Sequence, residues 1–236
     1  MTKKLPSLSV FFPCFNEAQN IPELVEQSLQ FIPQVARKFE LIIVNDGSTD
    51  DTKKIAKQLV KQHSQVKLVS HRENRGYGAA LQTGFKKSKY DWIFFTDGDL
   101  QFNIKEFKKF IKYTDKYSVV IGYRIKRAEG TIRAFNARLF KLYIDSLFRV
   151  HVKDIDCAFK LFKAEQIKSV KLLSTGAFVS AEFLYKLKKK GVALKQVAVK
   201  HYLRKFGEPT GANPKVIVKG VMDALKLYLK MKFHLQ

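Results

Sequence analysis

Cysteine is nearly missing from this 236-residue chain: Cys14 and Cys157 are the only two. Two thiols so far apart provide neither a disulfide framework nor a cysteine-rich zinc site, so a reducing compartment is expected. The five histidines, at positions 63, 71, 151, 201 and 234, show no close metal-ligand spacing and read as surface or local hydrogen-bonding residues. No apolar run approaches the roughly 18 residues that suggest a membrane-crossing helix. The first apolar stretch is short and broken by Pro13, which makes a poor signal peptide. Membrane contact is therefore expected to be peripheral or through a membrane-protein partner subunit. Internal repeats and low-complexity segments are absent. Acidic residues are also scarce, 21 against 44 Lys and Arg, which leaves a net charge of +23. Residues 126–236 hold 24 basic and 8 acidic groups, so most of the excess lies in the second half. Such a field attracts polyanions, whether nucleic acid, anionic lipid or phosphorylated substrates.

Hydrophobic residues make up 46% and aromatics 13%, enough apolar surface for a folded core. Through the first half, short apolar runs alternate with amphipathic stretches. Leu8–Phe12, Leu41–Val44, Val66–Val69, Trp92–Phe95 and Val119–Ile121 read as strands covered on both faces, because their apolar character is continuous rather than alternating. Between them, Ile21–Arg37, Asp51–His63, Gly78–Ser88 and Ile104–Tyr113 have helical spacing, and Ser48-Thr49-Asp50 caps the second. The order predicts an α/β fold, an open and largely parallel sheet with helices on both faces. The second half is expected to contain helices over Thr131–Val150, Ala181–Lys190 and Lys215 to about Phe233, with strands at Ala158–Phe162 and Leu194–Leu203. Residues 1–212 would form the catalytic domain and 213–236 a basic amphipathic appendage.

Open sheets of this kind bind ligands beyond the carboxyl ends of their strands. Polar clusters follow three of the runs: Pro13-Cys14-Phe15-Asn16-Glu17, Asn45-Asp46-Gly47-Ser48-Thr49-Asp50 and Thr96-Asp97-Gly98-Asp99-Leu100-Gln101. Asp97 and Asp99 flank a glycine that lets both carboxylates turn toward one cation. Magnesium commonly takes one or two carboxylates and completes its shell with phosphate and water. Asp-Gly-Asp is also an ordinary turn sequence, Asp46-Gly47-Ser48 also reads as a strand-to-helix turn, and Asn16-Glu17 also reads as a helix cap. Asn74-Arg75-Gly76-Tyr77-Gly78 either starts a helix or brings backbone N–H groups and Arg75 near phosphate.

In order, these clusters resemble the family 2 glycosyltransferases, and the match continues through Gly122-Tyr123-Arg124 and Asp154-Ile155-Asp156-Cys157-Ala158-Phe159-Lys160. The branch it is most similar to is the dolichyl- and polyprenyl-phosphate sugar synthases. That resemblance implies a GT-A, Rossmann-like fold and inverting hexosyl transfer from a UDP- or GDP-sugar with Mg²⁺ or Mn²⁺. It places Pro13, Glu17 and Asp46 on the nucleoside, Asn16 and Arg75 near the donor, Asp97, Asp99 and Gln101 around the metal, and Arg124 facing phosphate or sugar. Asp154 falls on the acidic position of a later motif in which Ala158 replaces a frequent glycine, and Asn45 replaces a frequent aspartate. His201 to Gly207, with Thr210 to Pro214, is similar to the branch's basic phosphate-binding loop, which makes Arg204 and Lys205 candidates for the donor diphosphate or the acceptor phosphate. A solvated basic loop is the alternative.

A phosphate monoester acceptor, with a second pKa of about 6, is already largely dianionic and needs no general base. A sugar hydroxyl would need one, and Glu182 or Asp154 would be the nominees. The stretches Arg133–Arg149 and Lys215–Phe233 combine apolar residues with lysines and arginines, so they either pack on the core or lie on an anionic membrane surface. The resulting expectation is hexosyl transfer to a lipid phosphate at the cytoplasmic face of a membrane. One alternative is a transferase acting on a soluble or cell-envelope glycan. The other is a non-catalytic binding protein, although no zinc-finger or RNA-binding aromatic motif accompanies the charge and no nucleic-acid partner is expected.

Overall fold

The computed structural model describes residues 3–125, 131–207 and 214–232. Seven strands form one sheet: β1 (Leu5–Cys14), β2 (Ala36–Asn45), β3 (Val66–Ser70), β4 (Trp92–Thr96), β5 (Val119–Arg124), β6 (Phe159–Lys163) and β7 (Leu194–Val199). Their order across the sheet is β3-β2-β1-β4-β6-β5-β7. Every neighbouring pair is parallel except those involving β6, which runs antiparallel to both β4 and β5. The expected open, mostly parallel sheet is therefore present. The reversed strand has a positional effect: the segment entering β6 lies at the same edge as the carboxyl ends of the other six.

The helices are α1 (Ile21–Phe31), α2 (Thr52–Gln62), α3 (Tyr77–Lys87), α4 (Lys108–Ile111), α5 (Thr131–Phe148), α6 (Ala164–Lys168), α7 (Val179–Lys189) and α8 (Pro214–Lys232). Phenylalanine, present 20 times, builds the core on both faces of the sheet. Adjacent Phe94 and Phe95 point to opposite sides, as strand residues must. Phe95 meets Phe11, Phe85, Phe162 and Phe183, while Phe94 meets Phe107 and Phe159. Each such ring, once buried, contributes on the order of 2–3 kcal/mol, so these two clusters hold α3 and α7 on one face and the Ile104–Ile111 segment on the other.

Two boundaries and one element stand out against the sequence reading. The helix expected to reach Arg37 ends at Phe31 and tightens into a 3₁₀ turn over Ile32–Gln34. Pro33 has no N–H to continue the helical ladder, and Ala36 and Lys38 are already paired with Leu5 and Ser7 of β1. The last strand stops at Val199 rather than Leu203, because the chain then leaves the sheet and Tyr202 N donates to Gln101 O at 2.9 Å. Helix α6, at five residues, is too short to show a period and was not expected. Helix α8 packs on α5, where Tyr143 Oη donates to Val221 O and Ala224 is buried.

Candidate active site

The loop after β1 is bound to the loop after β2. Asn16, at φ 58°, accepts from Thr49 N through Oδ1 at 2.9 Å, and its own N donates to Ser48 Oγ. Glu17 N donates to Thr52 Oγ1 and Ala18 N to Asp50 Oδ2. Asp50 also accepts from Thr52 N at 3.0 Å; the N-cap of α2 is the next residue, Asp51, which makes no side-chain capping bond, so the expected Ser48-Thr49-Asp50 cap falls one residue early. The Asp97-Gly98-Asp99 turn lies flush against the end of β1. A Cβ at Gly98 would stand 2.7 Å from Cys14 Sγ and 3.3 Å from Pro13 O, so only glycine fits there. This close approach brings Glu17 beside Asp97 and Asp99.

The three carboxylates act on one another. Burial, and then the charge of Asp99, push the Asp97 pKa up from 3.8 to about 7, against a hydrogen bond from Tyr77 and the charge of Lys160. Glu17 is also raised, first by burial, although Asn20 and Arg204 pull it down. The Cys14 thiol is driven well above its ordinary range by burial and by these same carboxylates, which leaves it protonated and inert. One cationic side chain of the described residues reaches in from the segment after β7. Arg204 Nη2 lies 2.7 Å from Glu17 Oε1, and its Nη1 lies 3.6 Å from Asp99 Oδ2. Gln101 supports the same segment, its amide nitrogen donating to Tyr202 O at 3.1 Å.

A carboxyl group with a raised folded-state pKa retains its proton where the unfolded chain has lost it. The contribution of Asp97 to stability should therefore fall as pH rises from about 4 through about 7. Thermal melts in EDTA should show that decline, and Asp97→Asn should remove it. An unchanged slope in the variant would show that Asp97 is not its source.

Other expected site residues are placed differently. Arg124 and Asp154 face each other rather than a ligand: Nε and Nη2 bind the two carboxylate oxygens at 2.7 and 2.8 Å, and both side chains are buried. The two bonds make a bidentate fork, which fixes the orientation of both side chains. Glu182 is fully buried in α7 and accepts from Leu173 N and Ser174 N at 2.9 and 2.8 Å, with Lys186 as its ion partner. Its carboxylate thus bonds the protein's own 173–174 backbone, and it was nominated as general base only for a hydroxyl acceptor. Asp46 accepts from His71 Nδ1, Arg75 N and Gly76 N at 2.6, 3.0 and 2.9 Å, so its oxygens hold the chain's own next turn. Arg75 joins this turn through its backbone, and its side chain is exposed. Lys205 turns outward onto Glu23 at 2.7 Å. Pro13 is a buried β1 residue paired with Val44. Of the basic loop, Thr210 to Asn213 lie outside the described residues. So do the side chains of Arg133, Lys215, Lys219, Lys230 and Lys232.

Sequence reasoning passed over Tyr77, whose Oη donates to Asp97 Oδ1 at 2.9 Å, and Lys160, fully buried with its ammonium on Ile155 O and Cys157 O. Asp156, half-exposed, acts electrostatically on Tyr77, Arg124 and Lys160 from the segment entering β6. A lysine inside the apolar run Ala158–Phe162 was the available signal, because an unpaired buried lysine is rare.

The residues at this edge fit a divalent ion that brings much of its own shell. Among the described residues no three His, Cys, Asp or Glu side chains form a ready metal cage. Mg²⁺ and Mn²⁺ bound with a diphosphate ask less of the protein, and Asp97 and Asp99 are close enough for the charge of one to act on the other. Thr96 Oγ1, buried immediately before Asp97, has no hydrogen-bond partner among the described residues.

Comparison with known proteins agrees with this arrangement. The chain is 31% identical over 170 residues to a dodecaprenyl-phosphate galacturonate synthase of Rhizobium johnstonii, covering 70% of this chain and 50% of that one. It is 26% identical over 214 residues to a dolichyl-phosphate beta-glucosyltransferase of Dictyostelium discoideum, covering 81% and 65%. It spans about half the length of several curated relatives it matches. Among solved structures, glucosyl-3-phosphoglycerate synthase from Mycobacterium tuberculosis, in complex with Mn²⁺, UDP and glucosyl-3-phosphoglycerate, superposes with a TM-score of 0.70 at 20% identity, over 94% of this chain and 80% of that one. Mannosyl-3-phosphoglycerate synthase from Rubrobacter xylanophilus gives a TM-score of 0.75 at 17% identity, over 98% and 76%. These likenesses establish the fold as GT-A. The family model for glycosyl transferase family 2 matches residues 9–171, which carry most of β1, all of β2 to β6 and the acidic turn after β4, and the chain therefore belongs to glycosyl transferase family 2.

Proposed function

We propose that this chain transfers a hexose from a UDP- or GDP-sugar to a polyprenyl or dolichyl phosphate at the inner face of a membrane. The observation that carries this reading is the gathering of Glu17, Asp97 and Asp99 at one edge of the sheet, with the Arg204 guanidinium between Glu17 and Asp99. Asp97 and Asp99 would hold Mg²⁺ or Mn²⁺, which supplies positive charge against the departing nucleoside diphosphate. Arg204 has two alternative anions within reach, the carboxylates it now touches and the diphosphate that would replace them. Asn16 and Glu17 fix the loop on which the nucleoside would rest.

The acceptor is inferred from what the site does not offer. Glu182 and Asp154, the two carboxylates nominated as a base, are both engaged within the protein. A phosphate acceptor, dianionic above its second pKa of about 6, attacks without one. Relatives named for dolichyl and dodecaprenyl phosphate favour the lipid-linked form.

No described helix is long and apolar enough to cross a membrane. Helix α8 nonetheless exposes Val218, Met222, Leu225 and Leu229, one stripe at helical spacing, beside Leu139 and Leu142 of α5. We assign this stripe, on the appendage 213–236, to an anionic bilayer surface, which the positive second half of the chain would attract.

A donor panel with Mn²⁺ or Mg²⁺, presented with undecaprenyl phosphate, dolichyl phosphate or soluble 3-phosphoglycerate, tests the reading. Lipid-linked product and salt-sensitive flotation with phosphatidylserine-containing vesicles are expected. Transfer to the soluble phosphate alone, with no vesicle binding, would replace the lipid acceptor with a soluble one.

A further inference from the structure

The turn at Arg75-Gly76-Tyr77-Gly78 is gripped from two sides by buried carboxylates. On one side Asp46 accepts from Arg75 N and Gly76 N, and it is itself bonded to His71, whose other ring nitrogen lies 2.9 Å from Thr83 Oγ1 of α3. On the other side Glu182 fixes Leu173 N and Ser174 N, which places Thr175 O to accept from Gly78 N at 2.8 Å and Ala79 N at 3.3 Å. Gln82 Nε2 adds a bond to Ser174 O. Gly76 sits at φ 95°, and a Cβ there would stand 2.5 Å from Thr175 O, so the turn and the 173–176 segment close against each other without a side chain between them. Tyr77 is the first residue of α3 in this frame, packed on the core, and the single aromatic side chain the frame delivers to the acidic edge.

We propose that Tyr77 is a positioning residue for the cation site, its hydroxyl holding Asp97 Oδ1 so that Oδ2 is the oxygen presented to the metal. The inference rests on the metal reading above. A carboxylate that ligates a metal is free to rotate about its Cβ–Cγ bond unless a second bond stops it, and outer-shell partners that stop it commonly tune metal affinity ten- to a hundredfold. Here the donor is the Tyr77 phenol, whose hydroxyl lies 2.9 Å from Asp97 Oδ1. The hydrogen bond also links the cation edge to the frame without adding charge to it.

The test is Mn²⁺ affinity, measured by the electron paramagnetic resonance signal of free Mn²⁺ in the presence of saturating UDP or GDP, alongside metal-free affinity for the same nucleotides. Tyr77→Phe should weaken Mn²⁺ binding about tenfold and leave metal-free nucleotide affinity unchanged. Equal Mn²⁺ affinity in Tyr77→Phe and the parent overturns the inference while leaving the metal reading intact. Parallel loss of both affinities also overturns it, because the residue would then serve the frame as a whole. A parent protein that binds no Mn²⁺ with either nucleotide removes the metal reading and this inference with it. Tyr77→Trp, which fills the space without a hydroxyl at that position, should behave like Tyr77→Phe, so the result does not depend on one variant folding.

Discussion

Asp99→Asn is expected to lower kcat/KM for sugar transfer at least about a hundredfold, as loss of several kcal/mol of metal-borne charge stabilisation implies. Its melting temperature should stay close to that of the parent. Two features of the site require this dissociation of activity from stability. Asparagine retains the oxygen that accepts from Gln101 N at 3.1 Å, so the turn after β4 stays closed. Removing the charge also relieves Asp97, whose pKa is raised by burial and then by Asp99. A stabilising or neutral substitution that abolishes turnover identifies a group whose charge is kept for a ligand. Initial-rate kinetics over a Mn²⁺ range, with a thermal melt of the same preparation, checks the prediction. Turnover at the parent rate would remove Asp99 from the site.

Glu182→Ala should show the opposite pattern. This side chain is fully buried, and its loss leaves Leu173 N and Ser174 N without their acceptor and Lys186 without its partner. Removing one member of a buried, hydrogen-bonded ion pair costs about 3–5 kcal/mol. For a chain of this size that corresponds to a fall in melting temperature of roughly 6–20 °C. Activity should fall as well, at temperatures where the protein is still folded, because the 173–176 segment buttresses the turn that carries Tyr77. Scanning calorimetry and activity measured well below the transition separate the two effects. A variant with parent-like stability would return Glu182 to consideration as a chemical group.

The sheet was legible because its strands are continuous apolar runs, and the three polar clusters fell where the topology requires, after Cys14, Asn45 and Thr96. Partnership was not legible. Asp46 and Glu182 have the residue type and neighbourhood of ligand-binding carboxylates, yet their oxygens are taken by backbone N–H groups 29 and 30 residues away in the first case and 8 and 9 away in the second. Nothing in a linear sequence distinguishes an acid that meets a substrate from one that meets a distant peptide group. Tyr77 was hidden for a related reason: an aromatic residue between two glycines reads as packing, and only the fold shows that its hydroxyl ends on Asp97. Arg124 and Asp154 came out together from the motif pattern, but their mutual engagement through two bonds was visible only in three dimensions.

The direction of β6 gives the connection leading into it an outsized weight. Thr96, which ends β4, pairs with Phe159, which opens β6, so the stretch arriving from α5 is delivered to the acidic edge while the stretch departing after Lys163 is carried to the far rim. Removing one residue between positions 150 and 158 would drag Asp154, Asp156 and the carbonyls held by Lys160 out of line with their partners, whereas trimming the exit would reach the site only through the 173–176 segment and the Tyr77 turn it supports. The polarity of a single strand thus makes the connection entering it the one least tolerant of a change in length.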